Sequence, residues 1–408
     1  MIQHPPAPLW AGRTLALLGI VLVAFNLRTA VASLSPVLGA LQEEIALGPV
    51  VVGFLGMLPP LCYAVFGILT PLVAKRFGLE PSLIAALALL ALGLAGRGLA
   101  PDAGWLVATS IATFAAIGVG NVLLPPLVKR YFPDRIGLVT TVYVTAMSVS
   151  TFLPPLIAVP VADAAGWRVS LGEWALIALI AMVPWIALLV HPRRRAPEAL
   201  PEEAEPSQLR HALRSPLAWS LTIVFGVSGF TAYSCFAWLP LILADVAGAG
   251  PAEAGALLAL FAAVGLPAGT VVPLVAARYG RVKLLIGIAT VVQIAGAAGL
   301  LLAPGTATWL WVALLCTGPL LFPLSLVLIN MRTRTHAGSV ALSGFVQSAG
   351  YVLGAFGPLL TGWIHDATGG WTVPLVMLGA AAVASAIAGV VVSRPRYFED
   401  ERVAPVPA

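Results

Sequence analysis

Charge is what this chain has least of. Only 10% of its 408 residues are Asp, Glu, Lys or Arg, against roughly 25% in an ordinary soluble domain. Cysteine is nearly absent: Cys62, Cys235 and Cys316 all lie in apolar runs, so neither a disulfide framework nor a metal site is expected. The sequence carries no GxxxxGK[ST] phosphate loop, no paired catalytic carboxylates, no Ser/His/Asp set within its apolar runs and no metal-ligand cluster. These gaps argue against an enzyme and against a bound cofactor. Carboxylates and histidines are also missing from the middle of the apolar runs. None of the 17 acids lies there, and His4, His191, His211, His336 and His365 are terminal or in loops.

In place of charge there are long apolar stretches: 60% of residues are hydrophobic and the mean hydropathy is +0.98. A bilayer core needs about 20 apolar residues per helix. Twelve such spans can be read, at 14–41, 49–74, 82–100, 103–128, 138–161, 172–191, 217–244, 252–277, 282–303, 307–330, 339–363 and 371–393. They do not alternate apolar and polar as barrel strands would. The expected fold is therefore all-α and integral to a membrane. The first span is too long for a signal-peptide core, so no cleavable leader is expected. Prolines such as Pro59, Pro60, Pro154, Pro155, Pro240 and Pro358 fall inside spans, where neighbouring helices can satisfy the freed backbone groups.

The few charges set the orientation. Arg13 and the basic residues after each even-numbered span put 19 of the 22 lysines and arginines on one side, while Arg97 and Arg168 fall on the other. The positive-inside rule then places both termini in the cytoplasm. The net charge of +5 follows from this asymmetry and is not a sign of nucleic-acid binding.

The remaining arginine is Arg28. It stands about fifteen residues into span 1, near mid-bilayer. An arginine there costs between ~2.5 and ~17 kcal/mol, depending on the reference state, unless it meets a polar cavity or a partner. With no acid at that depth it reads as unpaired until an anion or a strong acceptor arrives.

The two halves of the chain repeat. Thr70–Gly78 reads TPLVAKRFG and Val272–Gly280 reads VPLVAARYG, with six of nine positions identical. Pro155 and Asp163 at the exit of span 5 recur as Pro358 and Asp366 at the exit of span 11. A parallel repeat of two six-helix halves is the major facilitator architecture, with its site between the halves near the midplane. The expected organisation is an N-terminal half at 1–191, a linker at 192–216, a C-terminal half at 217–393 and a tail at 394–408.

Several segments carry a family likeness: NLRTAVASLSPVL (Asn26–Leu38), LPPLCYAVFGILTPLVAKRFG (Leu58–Gly78), GVGNVLLPPLVKRYFPDRIGLVT (Gly118–Thr140), AYSCFAWLP (Ala232–Pro240) and ALSGFVQSAGYVLGAFGPLLTGWIHDATGGW (Ala341–Trp371). With them the chain resembles the cyanate/2-nitroimidazole porter family of the major facilitator superfamily. The superfamily's G-x-L-x-D-R-x-G-R motif is kept at Arg76 and Gly78. Pro71, Lys75 and Leu79 replace its Gly, Asp and final Arg, which leaves no Asp there for a gating charge pair.

The resemblance implies transport of small anions such as cyanate, or of neutral nitro-aromatics. Both present compact acceptors that the planar five-donor fork of Arg28 could hold. The other candidate site residues are Asn26, Tyr63, Asn121, Ser148, Phe230, Tyr233, Gln347 and Tyr351. Asn26 and Asn121 either line the cavity or hydrogen-bond a neighbouring helix. Gln347 and Tyr351 share a helix face at i,i+4. Phe230 and Tyr233 offer rings on which a planar ligand could stack. Trp238 reads as an interface anchor first, and Gly350 and Gly354 as a close-packing pattern.

The expected function is a secondary transporter for a small, cyanate-like anion, working by alternating access. The alternative is an exporter of neutral nitro-aromatic or other small drugs through an aromatic cavity. The expected partners are the small-molecule substrate and the lipid bilayer, with no nucleic acid. The expected state is a monomer in the plasma membrane, which in a bacterium is the inner membrane.

Overall fold

Every backbone N–H and C=O in hydrocarbon must be satisfied within the protein, so long apolar segments become helices. The computed structural model describes residues 13–190 and 206–401. The first twelve residues, His191, the linker up to residue 205 and the tail from residue 402 lie outside the described residues. Among the described residues, eleven helices are long and apolar enough to cross a membrane. The helix Pro251–Tyr279, 29 residues long, covers the eighth expected span. Large apolar side chains on the outer surface, including Leu92, Val291 and Ile387, are about two-thirds exposed. That pattern is a liability in water and ordinary in lipid.

Local chemistry fixes the helix ends. Asp102, Ser215 and Thr335 cap helix N-termini by accepting from the backbone N–H groups of Trp105, Ala218 and Gly338. The first sequence repeat ends each time on a glycine in the left-handed region, Gly78 at φ 90° and Gly280 at φ 62°. A side chain there would be strained, so each copy closes its helix at the same place.

Two compact units form, and the boundary between them runs through the helix Pro49–Phe77, between Ala64 and Val65. In the first unit, Thr14–Ala32 packs on Ile136–Ala165 and Trp174–Val190, and Leu79–Gly98 packs on Ala103–Tyr131. Gly19 lies against the ring of Trp185, and Gly93 and Gly96 against Thr113 and Thr109. On the basic end of this unit, Glu80 and Arg130 form a buried ion pair at 3.1 Å, and Tyr131 donates to the same carboxylate at 2.6 Å.

In the second unit, Pro216–Ala247 packs along His336–Thr368, and Val282–Leu302 along Thr372–Val392. Gly350 abuts Phe225, and Gly354 abuts Gly229, so the small-residue pattern is used for close helix packing. Residues 49–64 belong to this unit too. Gly56 meets Pro358 and Ala237, and the carbonyl of Pro49 meets Gly362. Trp238 is fully buried, and its indole N–H donates to the carbonyl of Pro358 at 2.9 Å, so it ties one helix to another.

The tenth expected span is present as Thr308–Met331, built from Thr308–Leu315, a tight turn at Gly318–Leu320, and Leu321–Met331. Pro319 has no N–H to give to an α-helical ladder, and Gly318 lies directly against the side-chain amide of Gln293.

Candidate functional site

Four of the nine candidate residues belong to the first unit. Arg28 is half-buried on Thr14–Ala32. It is engaged with a partner, which corrects the expectation of an unpaired charge. Five N–H donors can find carbonyl or hydroxyl oxygens, or an aromatic face, without any carboxylate. Asn26 is fully buried and donates to the carbonyl of Leu22 at 2.8 Å; its Oδ1 has no partner among the described residues. Asn121 donates to Ile117 at 3.1 Å and Ser148 to Val144 at 3.0 Å, each along its own helix. Both bonds are i to i−4 contacts within one helix and do not reach a neighbouring helix.

The other five lie in the second unit. Tyr63 and Tyr351 meet edge to face, with ring centroids 5.8 Å apart. Tyr351 also meets Phe225 at 5.0 Å, and Phe225 meets Phe322 at 5.1 Å. Edge-to-face pairs at such distances are favourable beyond their burial. These four rings, from four helices, form a continuous chain, and Phe225 and Phe322 in it were not among the expected residues. Gln347, one turn before Tyr351, donates to the hydroxyl of Ser343 at 2.7 Å. Phe230 and Tyr233 are buried on Pro216–Ala247.

Two further polar positions were missed. Arg97 was assigned to the outer side with the loop charges, yet its side chain is fully buried in the first unit. It donates to the carbonyl of Ala30 at 3.1 Å and lies 5.7 Å from the ring centre of Phe114. Its Nε and Nη2 have no partner among the described residues. Gln293 is fully buried between helices and donates to Thr231 and to the carbonyl of Leu378, both at 3.0 Å. A lone glutamine inside the apolar span 282–303 was the available signal.

Guanidinium and carboxamide N–H groups are hydrogen-bond donors, and aromatic rings offer flat apolar faces. Among the described residues no group of three His, Cys, Asp or Glu side chains could hold a metal ion.

Over 390 residues the chain is 34% identical to the 2-nitroimidazole transporter of Escherichia coli (strain K12), covering 94% of this chain and 96% of that protein. It is 33% identical to an uncharacterized transporter of Bacillus subtilis (strain 168), with coverage of 94% and 95%. It is 26% identical to the cyanate transport protein of Escherichia coli (strain K12), with coverage of 87% and 91%. In fold it matches a bacterial homologue of the human lysosomal transporter Spinster, with a TM-score of 0.81 at 16% identity over 98% of this chain and all of that one. It also matches a D-xylose–proton symporter, with a TM-score of 0.71 at 15% identity and the same coverage. The Major Facilitator Superfamily model matches residues 17–355. The chain belongs to the major facilitator superfamily and is a multi-pass secondary transporter of small molecules.

Proposed function

We propose that the transported molecule is a small anion or compact acceptor-rich molecule, cyanate-like, carried by alternating access with Arg28 as the central binding residue. The observation that carries this reading is a half-buried guanidinium in the middle of span 1 with no acid at that depth in any span. Similarity to a cyanate transport protein and to a 2-nitroimidazole transporter supports it, because both named ligands present compact oxygen or nitrogen acceptors. The reading does not require Arg28 to be idle, since five donors exceed what one protein partner uses. Asn26, Tyr63, Asn121 and Ser148 are the further candidates in the N-terminal half, and Phe230, Tyr233, Gln347 and Tyr351 those in the C-terminal half. The architecture is twelve spans, counting Pro251–Tyr279, in two six-helix halves with both termini cytoplasmic in a bacterial inner membrane.

The test is ligand-induced thermal shift of the purified protein with cyanate, nitrate, nitrite, bicarbonate and 2-nitroimidazole. A ligand that binds the folded state raises its melting temperature by mass action. One small anion should stabilise the wild type, Arg28→Ala should abolish the shift, and Arg28→Lys should restore it only in part, because a point charge lacks the fork. A shift equal in wild type and Arg28→Ala would overturn the reading.

A second reading has its own support in the ring chain Tyr63–Tyr351–Phe225–Phe322. It makes the protein an exporter of neutral nitro-aromatics. Stabilisation by 2-nitroimidazole alone, surviving in Arg28→Ala and lost in Tyr351→Ala, would select it.

A further inference from the structure

A groove of about 830 Å³ runs up the outer face of Val282–Leu302, starting at the loop that joins it to the preceding helix. Arg281 and Lys283 stand at its mouth together with Ser393 from the end of the last helix. Leu284, Ile288 and Val291 form its wall. They follow the i, i+4, i+7 spacing of one helix face and are 50%, 51% and 67% exposed. Gly287 sits among them, and a side chain there would meet only open space.

Three properties together define an occupant. Lys283 to Val292 covers nine steps of about 1.5 Å, or about 13 Å. That is close to the ~15 Å depth of one leaflet, half the hydrocarbon core. The chemistry is graded: cations at the loop end, hydrocarbon beyond. The cations are also uncompensated, since no acid lines the groove and neither the Arg281 nor the Lys283 side chain has an ion-pair or hydrogen-bond partner among the described residues. The other half of the molecule provides a comparison. At the repeat offset, Arg281 and Lys283 correspond to Leu79 and Pro81, so the basic pair is not a by-product of the repeated loop.

We infer that this groove binds a phospholipid with an anionic head group, drawn from the leaflet on the protein's basic side. Arg281 and Lys283 hold the phosphate, and the face of Leu284, Ile288 and Val291 takes an acyl chain. Basic pockets between helices at the cytoplasmic surface favour anionic lipids, with each Lys or Arg contributing roughly fivefold in affinity.

Native mass spectrometry of the full-length protein, delipidated in detergent and titrated with dioleoyl-phosphatidylglycerol or dioleoyl-phosphatidylcholine, tests this. The wild type should bind phosphatidylglycerol more tightly. The double variant Arg281→Ala/Lys283→Ala should lose about thirtyfold of that affinity, roughly fivefold per residue, and hold phosphatidylcholine as before. Gly287→Leu should weaken both lipids by filling the groove. Inorganic phosphate at the same concentrations should not compete. Melting temperatures in lipid-free detergent establish that the variants fold, and both sites of change are exposed. Equal binding of the two lipids by the wild type, an unchanged preference in the double variant, or competition by free phosphate would each overturn the inference.

Discussion

Replacing Arg97 by methionine should leave the protein as stable as the wild type, or more so, while impairing transport. The expectation comes from a balance of terms. On the favourable side Arg97 has one charge-assisted hydrogen bond, to Ala30 at 3.1 Å, worth about 1.5–3 kcal/mol. The ring of Phe114 at 5.7 Å adds about 2 kcal/mol at most. Its position in the last turn of Leu79–Gly98 places it at the negative end of a helix dipole, worth up to ~2 kcal/mol. Against these stand a desolvation cost of several kcal/mol for a buried ion and two nitrogens without a partner among the described residues. The sum is near zero or unfavourable, and volume-matched apolar replacements of such ions are often neutral or stabilising by about 1–4 kcal/mol. Arg97→Ala should fare worse than Arg97→Met, because it adds a cavity. Transport should suffer in both. Ala30 lies two residues beyond Arg28 on the same helix, and loss of a bond of this strength there corresponds to roughly a ten- to hundredfold fall in rate. The assays are thermal melts in detergent and uptake into proteoliposomes of the ligand that stabilises the wild type. A large drop in melting temperature for Arg97→Met would show that the cation holds the fold together. Unimpaired uptake would show that Arg97 has no part in transport.

Three other perturbations have definite outcomes. Glu80→Ala takes the carboxylate away from a guanidinium that is only 7% exposed and should cost about 3–5 kcal/mol, whereas Glu80→Leu with Arg130→Met should recover most of it; denaturant melts decide, and a neutral single variant would refute the pairing. Phe398, fully buried and 4.4 Å from the ring of His211, docks the segment after the last helix. Phe398→Ala should cost about 3–5 kcal/mol and speed amide exchange at Phe398 and Thr335 by about a hundred- to a few-thousandfold. Asp400→Asn breaks only a half-exposed ion pair with Arg334, worth under ~1 kcal/mol, and should leave exchange nearly unchanged. The third is a pH dependence at Glu399. Burial pushes its pKa up, but hydrogen bonds from the backbone N–H groups of Thr335 and Arg334 and from the Thr335 hydroxyl outweigh it, so the net value lies below the ordinary 4.5. A depressed folded-state pKa means the contribution is complete above 4.5 and is lost as pH falls through the lower folded value. Exchange at Thr335 should therefore be flat from pH 7 to 5 after correction for intrinsic rates, and should rise below that window. Glu399→Gln should be faster already at pH 7 and lack the step.

The helices were legible because hydrocarbon admits so few backbone solutions. The repeat was legible because each copy ends on a glycine that its turn requires. Direction and distance were not. Arg97 sits one residue from its helix end, and nothing local says whether its side chain turns to the outer surface or into the bundle. Span 10 reads as continuous hydropathy, which is blind to the missing N–H of Pro319. The segment Phe398–Glu401 reads as a charged tail until Glu399 is seen capping the start of a helix 64 residues earlier in the chain. The candidate site shows the same limit in sharper form. Asn26, Asn121 and Ser148 were chosen because polar groups are conspicuous in apolar spans, yet each gives a proton to the carbonyl four residues back. A hydroxyl or carboxamide can spend its donors on its own helix, so its presence in a span does not imply a ligand. A guanidinium cannot, because its five donors outnumber the carbonyls one turn can spare. In a chain with no acid in mid-span, that surplus makes Arg28 and Arg97, and not the scattered amides and hydroxyls, the groups whose retention in the membrane calls for a function.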